Sequence, residues 1–475
     1  MRKLSRDLPF WVALVALGIL YAGTLDAHGM FMWDEAEYAC LARAIVRGEP
    51  YTDALRPPML PLSGSVALLL SARDADADLK MAVLLFALMG LWVVYAFMVR
   101  QVDRPTGLAA MGLLGLAPAY WDHATWFLAE IPLIVFFTGA LFLFYRGLYG
   151  GPPACLYGCW VCVALALLTR YTALLFGPLC LLFTAFAALG GGRAALRSRH
   201  FWLSPLAGVA VMAPWLIRAQ LVHGDALVGF KIASGQLQRY LPGVSMPWDF
   251  YLLGLPELIG WPGLVLFAIG AVWAAVARDR FALHLLVVVA FFFVWFGAYR
   301  YKELRLITAV LPFMACVAAV GMTRAVGGRW PEMASLASIA CVLLLPVATW
   351  DLIRVRPAIV GRVALGYPSF LDAARYVREV TPADAVVMGA PTPQLSWYLD
   401  RRVVPLPGQE ADLRAALEGV DRVVVVNWER GQPAYVGDVL RRSRLTPGTA
   451  GVTVFSDASF ANVVIPADAL SERLR

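Results

Sequence analysis

The sequence predicts a polytopic α-helical membrane protein with a small external α/β domain at its C-terminal end. Three observations predict it. Of 475 residues, 60% are hydrophobic and 15% charged, where soluble domains hold about 45–50% and ~25%. Apolar runs near the length that crosses a bilayer, about 20 residues, recur as far as Trp350. Beyond Trp350, short β-rich runs alternate with helical stretches. The expected division is therefore a membrane region over 1–350 and an α/β domain over 351–475.

The apolar runs lie at about 8–26, 80–99, 105–121, 127–146, 154–169, 171–189, 201–219, 256–277, 281–298, 305–322 and 333–350, which predicts about eleven or more transmembrane helices. The first run follows Met1, Arg2 and Lys3, as in a signal peptide, but Leu25-Asp26-Ala27 is a poor cleavage site and a retained helix is expected. The weakest division is at Arg170, between two adjoining runs.

Lys and Arg set the expected orientation. With a cytoplasmic N-terminus the inner loops carry Arg100, Arg104, Arg146, Arg193, Arg197, Arg199, Arg278 and Arg280. The first outer loop, about 27–79, is rich in acid instead, and the C-terminal domain then lies outside. Within that loop, Glu35–Arg47 has Ala36, Tyr38, Ala39, Ala42, Ile45 and Val46 at helical spacing with Arg43 and Arg47 opposite, which predicts an interfacial amphipathic helix. Pro57, Pro58 and Pro61 precede a short apolar stretch, Leu60–Leu70, that reads as re-entrant or interfacial.

In the external domain, strands are expected at Ala385–Met388, Arg402–Leu406, Arg422–Val426, Val452–Phe455 and Asn462–Ile465. Helices are expected at Phe370–Val380, Asp412–Leu417 and Tyr435–Arg442. No GxGxxG or P-loop accompanies them, so no nucleotide site is expected. The net charge of +7 is spread over short loops, without the basic stripe that nucleic acid requires. Cys155, Cys159 and Cys162 sit in a spanning run without histidine or a fourth ligand, so they read as packing rather than a metal cluster.

Span parity gathers the ionisable residues at run ends on the outer side: Asp34, Glu35, Arg56, His123, Glu130, Arg170, His223, Asp225, Arg239, Arg300, Lys302, Glu303 and Arg305. Ionisable groups at membrane depth are functional candidates. Taken singly, each has an ordinary reading: arginines snorkel to head groups, and Asp34, Glu35 and Glu130 suit the first turns of helices. Their convergence suits one chemistry, the transfer of a sugar from a lipid-linked phosphate to a hydroxyl. The leaving phosphate needs cations to hold it, not a general acid. The hydroxyl needs one carboxylate as base.

The stretch Trp33-Asp34-Glu35-Ala36-Glu37-Tyr38, with Gly48-Glu49-Pro50-Tyr51 and Arg56-Pro57-Pro58 after it, resembles the first external loop of GT-C glycosyltransferases. Lipid A aminoarabinose transferases and protein O-mannosyltransferases are the nearest in pattern. Ala129-Glu130-Ile131-Pro132-Leu133, His223-Gly224-Asp225 running to Gln238-Arg239, and Arg305 ahead of Leu311-Pro312 are similar to the same group. The resemblance implies a GT-C fold, a polyprenyl-phosphate-linked sugar donor, and an acceptor that is a glycolipid, a glycan or a protein, at the outer face of a bacterial inner membrane. It implies that Asp34 is the essential acid, Glu130 a second acid, and Arg239 a cation holding the lipid phosphate; Arg56 replaces a lysine. Arg170, Lys302 and Arg305 complete the expected phosphate set, Glu130 orients the acceptor or Asp34, and Glu35 supports the loop. Two positions depart from the aminoarabinose transferases, Leu55 for an acid and Ser234 for a histidine. No bound zinc is therefore expected, while a Mg²⁺ or Mn²⁺ between acid and phosphate stays open. From another class, a secondary transporter or flippase is the alternative, although the sequence shows no internal repeat.

Overall fold

The computed structural model describes residues 2–25, 31–71, 76–239, 245–326, 368–426, 433–443, 451–456 and 461–474. The last apolar run (333–350) and the expected domain boundary near 351 lie outside the described residues. The chain divides into two compact units. One covers Met1–Leu25, Pro50–Ser71 and Ala77–Val355; the other covers Asp26–Glu49, Ala72–Asp76 and Arg356–Arg475.

The first unit is helical. Along the chain come α1 (Arg2–Ala22), then, in the second unit, α2 (Trp33–Val46), then α3 (Met59–Leu70), α4 (Asp76–Gln101), α5 (Arg104–Gly115), α6 (Pro118–Ala124), α7 (Glu130–Leu148), α8 (Ala154–Leu167) and α9 (Phe176–Leu189). They are followed by α10 (Arg193–Arg197), α11 (Arg199–Leu203), α12 (Pro205–His223), α13 (Val228–Arg239), α14 (Phe250–Leu253), α15 (Leu255–Ala277), α16 (Arg280–Gly297) and α17 (Leu311–Gly321). Among the described residues, 7 helical segments are long and apolar enough to cross a membrane. Those at 76–101, 130–148, 171–189, 199–223, 255–277, 280–297 and 304–324 answer to seven of the expected runs.

Three other apolar stretches give shorter helices. The run at 105–121 divides into α5 and α6, because Pro118 has no N–H to give and its ring opposes the preceding turn. Helix α8 ends at Leu167, and Arg170 follows in extended backbone (φ −158°, ψ 133°) before a 3₁₀ turn, Tyr171–Leu175, leads into α9. The division at Arg170 is thus a backbone break. At 12 residues, α3 reaches about 18 Å, short of a bilayer core.

Helices α7 and α17 are buried on nearly every side, and α9, α12 and α15 leave broad apolar faces exposed. A helix apolar all round belongs in a core or a membrane. Helix α7 packs on α8, and α17 on α5, α15 and α16. The α15–α17 crossing depends on small residues: a Cβ on Gly321 would stand 2.2 Å from the Gly270 Cα. This close approach is how apolar helices associate without a hydrophobic driving force.

In the second unit a five-stranded sheet has strand order β2-β1-β3-β5-β4. The strands are β1 (Val386–Ala390), β2 (Arg402–Val404), β3 (Arg422–Val426), β4 (Thr453–Ser456) and β5 (Ala461–Pro466). β1 pairs in parallel with β2 and β3, whereas β5 runs antiparallel to β3 and β4. All five expected strands are present. Alternation along β3 sends Val424 into a core with α18 (Pro368–Val380) and α19 (Thr392–Leu399). Val423 and Val425 enter the opposite core, with α20 (Leu413–Ala416), α21 (Tyr435–Arg442) and α22 (Ala467–Arg473).

Helix α2 belongs to this unit and packs on α19. The expected amphipathic helix is present, but Arg43 lies on its buried face and Val46 is exposed. The sequence reading placed Arg43 on the solvent side because it treated the helix as lying on a lipid surface. In the fold the helix covers protein, and Arg43 finds the α19 carbonyls there.

Candidate functional site

Glu130 is the first residue of α7, where a carboxylate complements the helix dipole, and its side chain is buried. Arg170 projects from the extended break before the 3₁₀ turn and donates from Nη1 to Glu130 Oε1. A buried carboxylate needs such a partner. The 3₁₀ turn Leu304–Val310 packs against α7, and from it Arg305, with His123 of α6, acts electrostatically on Glu130. Arg305 Nε is held by Glu303 Oε2, and Glu303 Oε1 accepts from the Tyr301 hydroxyl. The first unit thus brings together Glu130, Arg170, His123, Glu303 and Arg305, all expected at outer run ends.

The loop ahead of α3 carries Arg56. Asp53 Oδ1 accepts from the backbone N–H groups of Leu55 (2.6 Å) and Arg56 (2.8 Å), and Oδ2 stands 3.5 Å from Arg56 Nη1. The Tyr51 hydroxyl donates to the Arg56 carbonyl at 2.8 Å. The side chain of Lys302 is buried, and its Nζ donates to the carbonyls of Tyr299 (2.6 Å) and Met246 (3.1 Å). Its ammonium is therefore engaged as a loop brace. Arg239 is the last residue of α13, and its side chain lies outside the described residues.

In the second unit, Asp34 is half-buried in the first turn of α2. Glu35 is buried and accepts the Met32 N–H at 3.0 Å, capping its own helix. Trp33 donates from Nε1 to Glu37 Oε1 at 3.0 Å.

Arg218 was missed by the sequence reading. It lies inside the apolar run 201–219, so the rule that flags ionisable groups at membrane depth applies to it as well. Its guanidinium lies 4.9 Å from the Tyr51 ring centre and 4.6 Å from that of Trp215.

Among the described residues no three His, Cys, Asp or Glu side chains gather as a metal site. Glu130 and Glu303 are paired with arginines, and Glu35 and Asp53 accept backbone N–H groups. Zinc prefers nitrogen and sulfur ligands, so this donor set does not fit it.

Helices long and apolar enough to span a bilayer, with a second α/β unit, make this the fold of a polytopic membrane protein. A family model described as dolichyl-phosphate-mannose-protein mannosyltransferase matches residues 56–217. No curated relative matches the chain. The crystal structure of ArnT from Cupriavidus metallidurans bound to undecaprenyl phosphate is similar at TM-score 0.73 and 17% identity, covering 96% of this chain and 98% of that one. The archaeal oligosaccharyltransferase AglB from Archaeoglobus fulgidus, in complex with an inhibitory peptide and a dolichol-phosphate, is similar at TM-score 0.56 and 13% identity. That match covers 88% of this chain and 70% of AglB. The Archaeoglobus fulgidus oligosaccharyltransferase in complex with Zn and sulfate gives TM-score 0.58 and 14% identity, over 87% and 68% of the two chains. The fold implied by the first loop is thus the fold observed. The transporter alternative gains no support.

Proposed function

We propose that the chain is an inverting glycosyltransferase that moves a sugar from a polyprenyl-phosphate donor to a hydroxyl of a lipid, glycan or protein. The observation that carries this reading is a buried carboxylate, Glu130, held by Arg170 with Arg305 in electrostatic reach, inside a GT-C fold. The family-model match and the lipid phosphates bound by ArnT and AglB support it.

In this reading Asp34 takes the acceptor proton as the hydroxyl oxygen attacks the anomeric carbon. The bond from that carbon to the phosphate oxygen breaks on the opposite face, and the phosphate leaves with the electron pair. Arg56, Arg239 and Arg305 hold the departing phosphate, since a guanidinium fork matches its oxygens. Glu130 and Arg170 orient the acceptor side, Glu35 fixes the turn that carries Asp34, and Lys302 braces the loop before Arg305. Zinc has no step here.

The active site and α/β domain lie on the periplasmic side of a bacterial inner membrane, as the distribution of Lys and Arg favours. Mass spectrometry of envelope lipids and glycans from a strain lacking the chain should show one component short of one sugar. An unchanged envelope, with no transfer by the purified protein from polyprenyl-phosphate sugars, would sink the proposal. A membrane-impermeant maleimide should label Arg441→Cys from outside and Arg197→Cys only after permeabilisation. The reverse pattern would invert the topology.

A further inference from the structure

Arg218 sits in α12, about one turn before its C-terminal end, in a corner formed by two aromatic rings. The Tyr51 and Trp215 rings lie 5.7 Å apart and nearly perpendicular, at 83°. The guanidinium carbon makes cation–π contact with both rings, at 4.9 and 4.6 Å. Its Nη1 and Nη2 are buried and have no hydrogen-bond partner among the described residues. Buried donors without acceptors are costly, and the cost rises with charge. If Arg218 served only to pack the rings, a leucine or methionine would do so without that cost.

The rings tie this guanidinium to the loop of Arg56. Tyr51 donates to the Arg56 carbonyl. Trp215 Nε1 donates to the Tyr171 hydroxyl at 3.2 Å, and that hydroxyl donates to the Ala54 carbonyl at 3.4 Å. Asp53, 3.5 Å from Arg56, also acts electrostatically on Arg218. The two arginines therefore flank one loop, and both face anionic charge.

We propose that Arg218 is a further binding residue for the donor, its Nη1 and Nη2 N–H groups donating to the oxygens of a phosphate monoester. Bidentate recognition of phosphate suits a guanidinium fixed in position by aromatic contacts. Because Nη1 and Nη2 are enclosed, the 51–56 loop shifts as the phosphate enters, so donor binding also sets Arg56. The inference rests on the glycosyltransferase reading and adds a residue to it.

The test measures equilibrium binding to the purified full chain in lipid nanodiscs with three probes: undecaprenyl phosphate, undecaprenol and inorganic phosphate. Arg218→Met keeps an apolar stem on the rings and removes the donors; Arg218→Lys keeps the charge and removes the fork. Undecaprenyl phosphate should bind about 10- to 100-fold more weakly to Arg218→Met and less severely so to Arg218→Lys, with undecaprenol affinity unchanged. Unchanged affinity for the phosphate lipid, or equal loss for both lipids, would overturn the inference and make Arg218 a structural strut. Inorganic phosphate binding as tightly as the lipid, with the same loss in Arg218→Met, would assign the site to a free anion instead. Failure of the parent chain to bind undecaprenyl phosphate at all would instead remove the reading beneath it.

Discussion

The Arg43 guanidinium stands 4.5 Å over the Trp397 indole and donates to the carbonyls of Ser396 (2.6 Å) and Trp397 (2.9 Å). These contacts fasten α2, the helix that carries Asp34, to α19. Both carbonyls sit in the C-terminal half of α19, where a cation is favoured. Arg43→Ala should lower the stability of the unit by about 1–3 kcal/mol, because a buried charged hydrogen-bond pair and a cation–π contact are lost together. Arg43→Lys should recover part of it. Thermal unfolding of the purified protein decides the matter; an unshifted transition for Arg43→Ala would mean that α2 is held by its apolar face alone.

Asp400 adds a pH dependence to the same junction. It accepts from Arg47 Nη2 at 2.8 and 2.9 Å and lies 3.3 Å from Arg43. Burial works to raise its carboxyl pKa, but Arg47, Arg43 and Arg401 together hold it below the ordinary aspartate value. A carboxyl lowered in the folded state adds stability above its unfolded pKa of about 3.9 and loses that contribution as pH falls through the folded value. Asp400→Asn should therefore unfold earlier than the parent at pH 7, and the gap should close below about pH 4. A gap constant across that range would show that shape, not charge, orders the arginines.

How much of this was legible in the sequence follows from which forces act locally. Hydropathy and alternation located the ten runs that fall within the described residues as helical segments, and all five strands, since burial patterns are written along the chain. Arg43 was misread because its partner, Trp397, lies far along the sequence and nothing in 35–47 points to it. The α19 helix was itself overlooked: Pro391 and Pro393 flank Thr392, and the stretch is short. The Glu130–Arg170 pair was legible only as two residues at outer run ends, and its contact required the backbone break at Arg170. Arg218 was hidden because the surrounding run remains apolar despite it.

Zinc content offers an inexpensive check. The ligand positions hold Leu55 and Ser234, and the Ser234 hydroxyl donates to the Lys231 carbonyl at 2.9 Å. Elemental analysis of the purified protein should find no stoichiometric zinc, and turnover should survive exhaustive chelation. Loss of activity restored by one divalent ion alone would overturn this and direct attention to a carboxylate-held Mg²⁺ or Mn²⁺.

Asp34 carries the catalytic prediction. It lies in the first turn of α2, on a helix fixed by the buried Glu35 cap and by Arg43, so its position is set by neighbours that need not react. A base must be ionised at neutral pH, which the positive end of a helix favours. General-base catalysis is worth about 10²–10⁴-fold. Asp34→Asn should lose at least 10²-fold in turnover while the protein folds and binds undecaprenyl phosphate as before. Glu35→Gln should act differently: its side chain accepts the Met32 N–H, so the change should lower thermal stability and reduce turnover by less than Asp34→Asn does. Glu130→Gln should fall between them, since it breaks a buried ion pair with Arg170 as well as any contact with the acceptor. Near-normal sugar transfer by folded Asp34→Asn would falsify the assignment and move the role of base to Glu130.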